Sequence, residues 1–253
     1  MARPRRVGPE DQLTLVEHLE ELRTRLIIVL SALAIAMTGC YIENVRIYHF
    51  LQRPLDGHVK LVTLAPTEAF FNAIMISVYG GLLITLPVLT YQLYSFVLPA
   101  FAVEHHRPIK IMALFIPCLF VTGALFGWFL VVPPALDFLL GYNSDQFNFQ
   151  PRAKEYIQFI GLTVLAMGVV FEMPVVMMTV ARVGLVSSRM MRQHWRISIV
   201  VLAVIAMLLP GVDPISYVVE FIPLLILYGL SYFLVKLVEP KDAPQDDPEP
   251  TLT

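Results

Sequence analysis

The chain has 253 residues, of which 57% are apolar and only 15% are charged, and its formal net charge is −2. Ordinary globular chains carry about 25% charged residues, so this composition excludes a typical soluble domain. The apolar residues lie in long uninterrupted runs, which predicts a polytopic protein of the lipid bilayer. The basic residues are dispersed between these runs, which excludes nucleic acid as a partner, because duplex-binding proteins concentrate positive charge on one face.

Six apolar runs are long enough to consider as membrane spans. Crossing about 30 Å of hydrocarbon takes about 20 residues, and backbone groups in lipid must pair internally, so these runs predict helices. The sequence therefore predicts an all-α integral membrane protein with one membrane domain over residues 1–238 and a disordered tail over 239–253. The expected spans cover about 26–42, 70–98, 110–132, 156–181, 197–211 and 215–235.

The connections between the runs carry the polar residues. Pro133 and Pro134 follow the third run, and we expect them to begin an outer loop. The fifth run is short, since the 16 uncharged residues 197–212 give about 24 Å of helix. Local thinning of the bilayer would accommodate it, and a single re-entrant hairpin made from the last two runs is the alternative. Gly80 and Gly81 in the second run would permit the close approach of another helix.

Lysine and arginine residues are unevenly distributed between the two sides of the predicted membrane domain. With the N-terminus inside, thirteen of the 18 fall in inner segments and five in outer loops. Positive residues predominate in cytoplasmic loops, so the asymmetry predicts that both termini are cytoplasmic.

The strongest local motif lies just before the first span. Apolar residues recur there at three- and four-residue steps, which predicts an amphipathic helix that lies along the interface or runs into the span. Its glutamates place negative charge where positive residues normally predominate. Glu21 and Arg25 are four residues apart, so simple internal pairing is the alternative to a functional role. The motif reads His18-Leu19-Glu20-Glu21-Leu22-Arg23-Thr24-Arg25-Leu26.

This motif resembles the N-terminal HLxELRxRL signature of the TatC family, the multispanning subunit of the twin-arginine protein translocase. The resemblance covers about residues 12–236, with matching span count and orientation. Further matching segments follow in order: Pro54, Pro87-Val-Leu-Thr-Tyr-Gln92 with Phe96 and Pro99, Phe171-Glu172-Met173-Pro174, and Asp213-Pro214.

The resemblance implies a cupped, concave array of helices in a prokaryotic cytoplasmic (inner) membrane. It implies a receptor and core scaffold that binds the twin-arginine signal peptides of folded precursors, self-associates, and recruits single-span subunits of the TatA and TatB type. Transport would draw on the proton gradient. The resemblance implies no enzymatic step and no cofactor, and the histidines share no metal-ligand spacing on one element.

The predicted signal-peptide site is acidic. A guanidinium is a planar fork that binds carboxylate bidentately, so acidic residues at the cytoplasmic rim are the natural receptors for an arginine pair. By similarity Glu21 is the first candidate. The second family glutamate falls at His105 here, and we expect the preceding residue, Glu104, to serve instead. The other candidates at this site are His18, Leu19, Arg23, Arg25 and Phe96.

Two glutamates lie inside predicted spans. Glu172 has an insertion cost of a few kcal/mol, so it is expected to face water or protein and to mark function; a neutral acid bonded to a neighbouring helix is the alternative. Glu220 is absent from the family pattern, which often has glutamine where this chain has Tyr217. We hypothesise that Glu220 supplies a polar patch for the single-span partners, with a purely structural role equally possible. Candidates for structural or partner contacts are Pro54, Met207, Asp213 and Tyr217.

Two other function classes remain open at this point. A small-solute secondary transporter could use Glu172 as a proton or cation relay, but it predicts internal repeats that we do not find. An intramembrane hydrolase would need a nucleophile and a base placed together within the spans, and the sequence reveals no such pair.

Overall fold

A computed structural model describes residues 15–55, 60–100, 107–143, 145–146, 150–182, 184–211 and 213–238. Within these ranges the regular structure is helical, and one isolated bridge pairs Val62 with Arg152. The predicted tail (239–253) and Glu104 lie outside the described residues. The helices are α1 (Leu15–Ile42), α2 (Asn44–Leu51), a 3₁₀ turn (Arg53–Leu55), α3 (Glu68–Ala100), α4 (Arg107–Phe126), a π turn (Gly127–Val131), α5 (Val132–Gly141), α6 (Ala153–Phe171), α7 (Met173–Arg182), α8 (Ser188–Gln193), α9 (Trp195–Leu208) and α10 (Pro214–Val238).

Five helical segments in the described part of the chain are long and apolar enough to cross a membrane. The prediction of an all-helical chain with several apolar spans is therefore confirmed. The helix at the fifth predicted span, α9, is shorter than these, whereas α10 is long enough to cross by itself. The five segments are His18–Ile42, Glu68–Phe96, Phe115–Gly141, Ala153–Arg182 and Pro214–Leu237.

The first helix is continuous from the amphipathic motif into the apolar run. It packs along α3, and the two glycines of α3 make this contact close. A Cβ atom built on Gly80 would lie 2.8 Å from the sulfur of Cys40, and one on Gly81 would overlap the Met37 side chain. The close approach that Gly80 and Gly81 would permit is present, and the partner helix is α1.

The third apolar segment extends further than the sequence predicted. The expectation that Pro133 and Pro134 begin a loop is wrong, because the chain passes through the π turn and continues as α5 to Gly141. Both prolines lie in the first turn of α5. The first turn of a helix tolerates proline because its N–H groups have no intrahelical acceptor.

The fourth apolar segment is one line of helix with a break at Glu172. The Glu172 N–H bonds to the Val169 carbonyl, and α7 starts at the next residue. Pro174 explains the break, since it has no N–H to offer to the carbonyl one turn earlier. Gly127 and Gly168 allow α6 to pack closely against the helix formed by α4 and the π turn.

An ion pair ties the N-terminal ends of α3 and α6 together. Arg152 donates from Nε to Oε1 of Glu68 at 3.0 Å and also from Nη2 to the same oxygen, while the backbone N–H of Leu64 donates to Glu68 Oε2 at 3.0 Å. Next to this pair, Val62 exchanges backbone hydrogen bonds with Pro151 and Ala153. Glu68 is buried, and Arg152 balances its negative charge at the point where the two helices begin.

The contact between α4 and α6 generates a testable prediction. A Cβ atom on Gly123 would lie 2.5 Å from the backbone oxygen of Met167 and 2.7 Å from Phe171 Cβ. Because a backbone carbonyl within a helix cannot move aside cheaply, Gly123→Ala should destabilise the protein by about 1–3 kcal/mol. Thermal unfolding of the purified protein in detergent measures this loss.

The matched control is Gly229→Ala in α10, where nothing lies within 4 Å of the added carbon. Alanine has a higher helix propensity than glycine, so the stability of this variant should be unchanged or slightly higher. Equal unfolding temperatures for the two variants would contradict the close α4–α6 contact.

Candidate functional site

Arg25 joins the N-terminal part of α1 to the C-terminal part of α3. Its guanidinium donates from Nε to Oε1 of Glu21 at 3.0 Å, from Nη1 to the side-chain oxygen of Gln92 at 2.9 Å, and from Nη2 to the Ser95 carbonyl at 3.0 Å. Only a planar fork with several donors can reach three groups on two helices in this way. We call this end of the molecule the α1–α3 rim.

Among the described residues, one oxygen of the Glu21 carboxylate at the α1–α3 rim receives hydrogen bonds. Its hydrogen bonds from Arg25 all go to Oε1. The Glu21 side chain remains 29% exposed, against 20% for Arg25. The internal pairing that the four-residue spacing suggested is therefore present, and it still leaves Glu21 accessible from solvent.

A stacked aromatic pair extends the rim. The His18 and Phe96 rings lie 4.2 Å apart, centroid to centroid, and are inclined by 17°. Of the candidates for this site, His18, Glu21, Arg25 and Phe96 come together between α1 and α3. Leu19 and Arg23 are also on α1, and both are exposed.

Two groups at the rim were not predicted from the sequence. Gln92 and the Ser95 carbonyl accept from Arg25. Gln92 could have been predicted, because it belongs to one of the segments on which the family resemblance rests. The Ser95 contact could not have been predicted, because a backbone oxygen is present in every residue and leaves no mark in the sequence.

Glu172 lies at the break between α6 and α7 and is only 4% exposed. The Thr90 hydroxyl of α3 hydrogen-bonds to it, whereas its Oε1 atom has no hydrogen-bond partner in the part of the chain that the structure describes. Tyr94 is the neighbouring polar group, and it packs with Ile116 of α4. An ionisable side chain is thus placed between α3, α4 and α7 with half of its hydrogen-bonding capacity unused.

An apolar cavity of about 510 Å³ lies between α3, α4 and α6. Phe50 of α2 and Trp128 of the π turn both line it, and their rings stack 4.5 Å apart. Pro87 lines it on α3, one helical turn from Thr90, the residue that bonds to Glu172. The cavity provides a concave apolar surface within the helix array.

The α9–α10 pair holds the remaining candidates. Met207 is 69% exposed, whereas Glu220 is fully buried and so lies away from the exposed surface of α10. Tyr217 stacks on Phe221 and packs between the two helices. Asp213 caps α10 by accepting from the backbone N–H of Ser216 at 2.8 Å. Pro54 is half-buried in the 3₁₀ turn.

No three His, Cys, Asp or Glu side chains converge in the part of the chain that the structure describes. The arrangement offers an open carboxylate at a rim, an apolar cavity and a buried acid. These features suit binding of an extended segment that carries a positive charge and an apolar stretch.

Comparisons with known proteins agree on one family. The model of the family described as "Sec-independent protein translocase protein (TatC)" matches residues 17–223. The TatC protein of Magnetococcus marinus is 33% identical over 245 residues, which cover 95% of this chain and 90% of that protein. The TatC protein of Koribacter versatilis is 35% identical over 238 residues, covering 91% and 88%.

A solved structure agrees with the sequence relatives. A crystal structure described as the twin arginine translocase receptor TatC superposes with a TM-score of 0.75 at 36% identity, covering 88% of this chain and 99% of that one. The family match extends over most of the chain, and the helical architecture is shared. The chain therefore belongs to the TatC family, a membrane component of the twin-arginine protein translocase.

Proposed function

We propose that this protein is the receptor and core scaffold of twin-arginine translocation, and that it binds the signal peptides of folded precursors at the α1–α3 rim. The observation that carries the proposal is the Glu21 carboxylate, which Arg25 fixes on one oxygen among the described residues and whose side chain is 29% exposed. Membership of a translocase family leaves the small-solute transporter and the hydrolase without support.

The geometry at the rim favours an arginine as the bound group. Arg25 already orients the Glu21 carboxylate, so an incoming guanidinium meets a preorganised acceptor and little ordering cost remains. A guanidinium can form two parallel hydrogen bonds, which a lysine ammonium cannot reproduce. Glu104, on the connection between α3 and α4, would provide the second acidic contact, and His18, Leu19, Arg23 and Phe96 would border the peptide.

The apolar part of a signal peptide would continue from the rim into the concave side of the helix array. The cavity between α3, α4 and α6 has an apolar lining suited to such a segment. Glu172 lies near the end of this path with an unsatisfied oxygen, so a polar backbone group or water that enters with the peptide could bond to it. We infer that Glu172 acts in the transport step.

The chain would cross the membrane six times, with both termini in the cytoplasm of a prokaryotic cell. The 14 residues of α9 give about 21 Å of helix, less than the usual hydrocarbon thickness, so we infer local thinning of the bilayer around it. The excess of basic residues in the proposed inner segments supports this orientation.

Single-span partner subunits of the TatA and TatB type would bind along α9. One face of this helix carries exposed apolar side chains at helical spacing: Ile197, Val200, Val204 and Met207. Helices associate in lipid through close packing of such faces. We also propose that the chain self-associates. Transport would draw its energy from the proton gradient.

Peptide binding tests the rim. Glu21→Gln should weaken binding of an Arg-Arg signal peptide about 10-fold or more, since a hydrogen bond to a charged group contributes about 1.5–3 kcal/mol. Titration of the detergent-solubilised protein with a fluorescent peptide measures the affinity, and a Lys-Lys peptide should bind as weakly as the variant binds Arg-Arg.

The control is Glu20→Gln, which removes the same charge from the exposed neighbouring position. It should leave the affinity nearly unchanged. Equal losses for both variants, or equal binding of the two peptides by the unmodified protein, would argue for general electrostatic attraction in place of a site at Glu21.

A second prediction concerns Glu172. Glu172→Leu should impair precursor export while the protein still assembles in the membrane, because the change removes a buried acid without removing volume. Export of a twin-arginine precursor in cells, compared with membrane levels of the variant, measures the effect. Glu155→Leu, at an exposed position of α6, is the control. Unimpaired export by the Glu172 variant would refute the role.

A third prediction concerns the partner surface. After replacement of Cys40 and Cys118, Met207→Cys should crosslink to a cysteine in the helix of a single-span partner, because Met207 is 69% exposed on α9. Phe129→Cys, at a similarly exposed position of the π turn, should crosslink weakly. A partner that reacts equally with both sites would show that α9 is not the docking helix.

A further inference from the structure

The apolar cavity between α3, α4 and α6 is closed on its protein side and open on the other. Ile157 and Ile160 of α6 line its inner wall, and both are buried. Ile84 of α3 and Val121 of α4 also line it, but they are 60% and 50% exposed. Both lie in segments that are long and apolar enough to cross a membrane. The cavity therefore opens sideways, towards the hydrocarbon of the bilayer.

The walls of the cavity offer little to water. The described residues that line it carry no charge, and only Tyr79 and Trp128 have a polar atom in their side chains. A buried water normally makes about three hydrogen bonds to polar groups, so a space of about 510 Å³ with this lining favours an apolar occupant. In a bilayer, the apolar groups that surround such an opening are the acyl chains of lipids. This part of the site therefore selects an acyl chain.

An aromatic pair and an arginine mark one end of the cavity. Phe50 and Trp128, whose rings stack, both line it, and the guanidinium carbon of Arg53 lies 5.1 Å from the centroid of the Phe50 ring. Leu55, in the same 3₁₀ turn as Arg53, packs in one cluster with Ile157 near the start of α6. Tryptophan and arginine side chains are common where the hydrocarbon meets the lipid headgroups. A positive charge thus lies beside the cavity, at the depth expected for headgroups.

This positive charge is available to an anion. Arg53 is exposed and makes no ion pair within the described ranges. Arg46 of α2, by contrast, donates to Glu43 at 2.8 Å. A guanidinium can bind a phosphate group with two parallel hydrogen bonds. The chemistry beside the cavity therefore suits the phosphate of a lipid whose acyl chain lies in the cavity.

We propose that the cavity and Arg53 together bind one phospholipid molecule, with an acyl chain between α3, α4 and α6 and the phosphate on Arg53. The apolar space and the cation are neighbours in the structure, as the acyl chain and the phosphate are in the lipid. A free acyl chain would fill the cavity without using the charge. Inorganic phosphate would use the charge without filling the cavity.

The lipid site goes beyond the receptor role, because it concerns the protein in the absence of a signal peptide. The lipid would occupy the cavity until the apolar part of a peptide displaces it. Its test needs no peptide and changes no residue of the α1–α3 rim. A failure of the lipid site would therefore leave the peptide proposal standing, and a failure of peptide binding at the rim would leave the lipid site standing.

Quenching of tryptophan fluorescence tests the site directly. The chain has two tryptophans, Trp128 in the wall of the cavity and Trp195 at the start of α9. The full-length protein in detergent is titrated with phosphatidylglycerol that has brominated acyl chains, which quench a tryptophan on contact. In the Trp195→Phe variant, quenching of Trp128 should saturate with one lipid per chain. In the Trp128→Phe variant, quenching of Trp195 should only increase gradually with the amount of lipid.

The phosphate contact is tested in the Trp195→Phe background. Arg53→Gln should weaken binding of the brominated lipid about 10-fold or more, the loss expected when a hydrogen bond between charged groups is removed. The control is Arg46→Gln, which removes the same charge from a side chain that already pairs with Glu43. It should leave the affinity nearly unchanged.

The acyl-chain contact is tested in the same background. Ala124 lines the cavity, so Ala124→Leu fills part of it and should also weaken binding of the lipid. Ala34→Leu adds the same volume at an exposed position of α1 and should not. Thermal unfolding of each variant shows whether it is folded, and Arg53→Gln tests the site without changing the packing of the helices.

Three results would overturn the lipid site. The first is gradual quenching of Trp128 that matches that of Trp195, which would mean that lipid surrounds the protein without a specific site. The second is equal binding of a brominated diacylglycerol, which lacks the phosphate, together with no loss in the Arg53 variant. The third is saturable quenching that a folded Ala124→Leu variant leaves unchanged, which would place the lipid outside the cavity.

Discussion

The cost of a charge in low-dielectric surroundings governs this structure. The described helices are apolar over most of their length, and three of their four buried acidic side chains lie at helix ends or breaks, Glu220 inside α10 being the fourth. Glu68 begins α3, Glu172 separates α6 from α7, and Asp213 caps α10. At such points the backbone has unpaired N–H or carbonyl groups, and a polar side chain can share their surroundings. Of these three residues, Glu172 is the one to which we assign a proposed function.

The two ends of α3 show two ways of neutralising such a charge. At its start, Glu68 receives Arg152 and a backbone N–H, so the carboxylate is fully occupied and fixes α3 against α6. At the other end, Arg25 fixes α1 against α3 but occupies only one oxygen of Glu21. The first arrangement is suited to holding the fold together. The second leaves an acceptor available, which is why the rim supports a binding proposal.

The same contrast separates the two intramembrane glutamates. Glu172 has a hydroxyl partner on α3, Thr90, which lies one helical turn from the cavity-lining Pro87. Glu220 is enclosed together with a second acid and a serine under a glycine turn. Their similar sequence surroundings conceal this difference.

The sequence by itself determined the helical class, the membrane character, the family and most residues of the rim, because runs of apolar residues and an ordered set of motifs are local properties. It misplaced the end of the third apolar segment, since the helix continues through a π turn and both prolines fall in the first turn of α5, where proline is tolerated. Only the tertiary structure decided that Arg25 reaches Gln92 and Ser95, and that Glu220 turns inward toward Gly211. These are contacts between residues far apart in the chain, or choices of helix face, and both are fixed by how the helices pack.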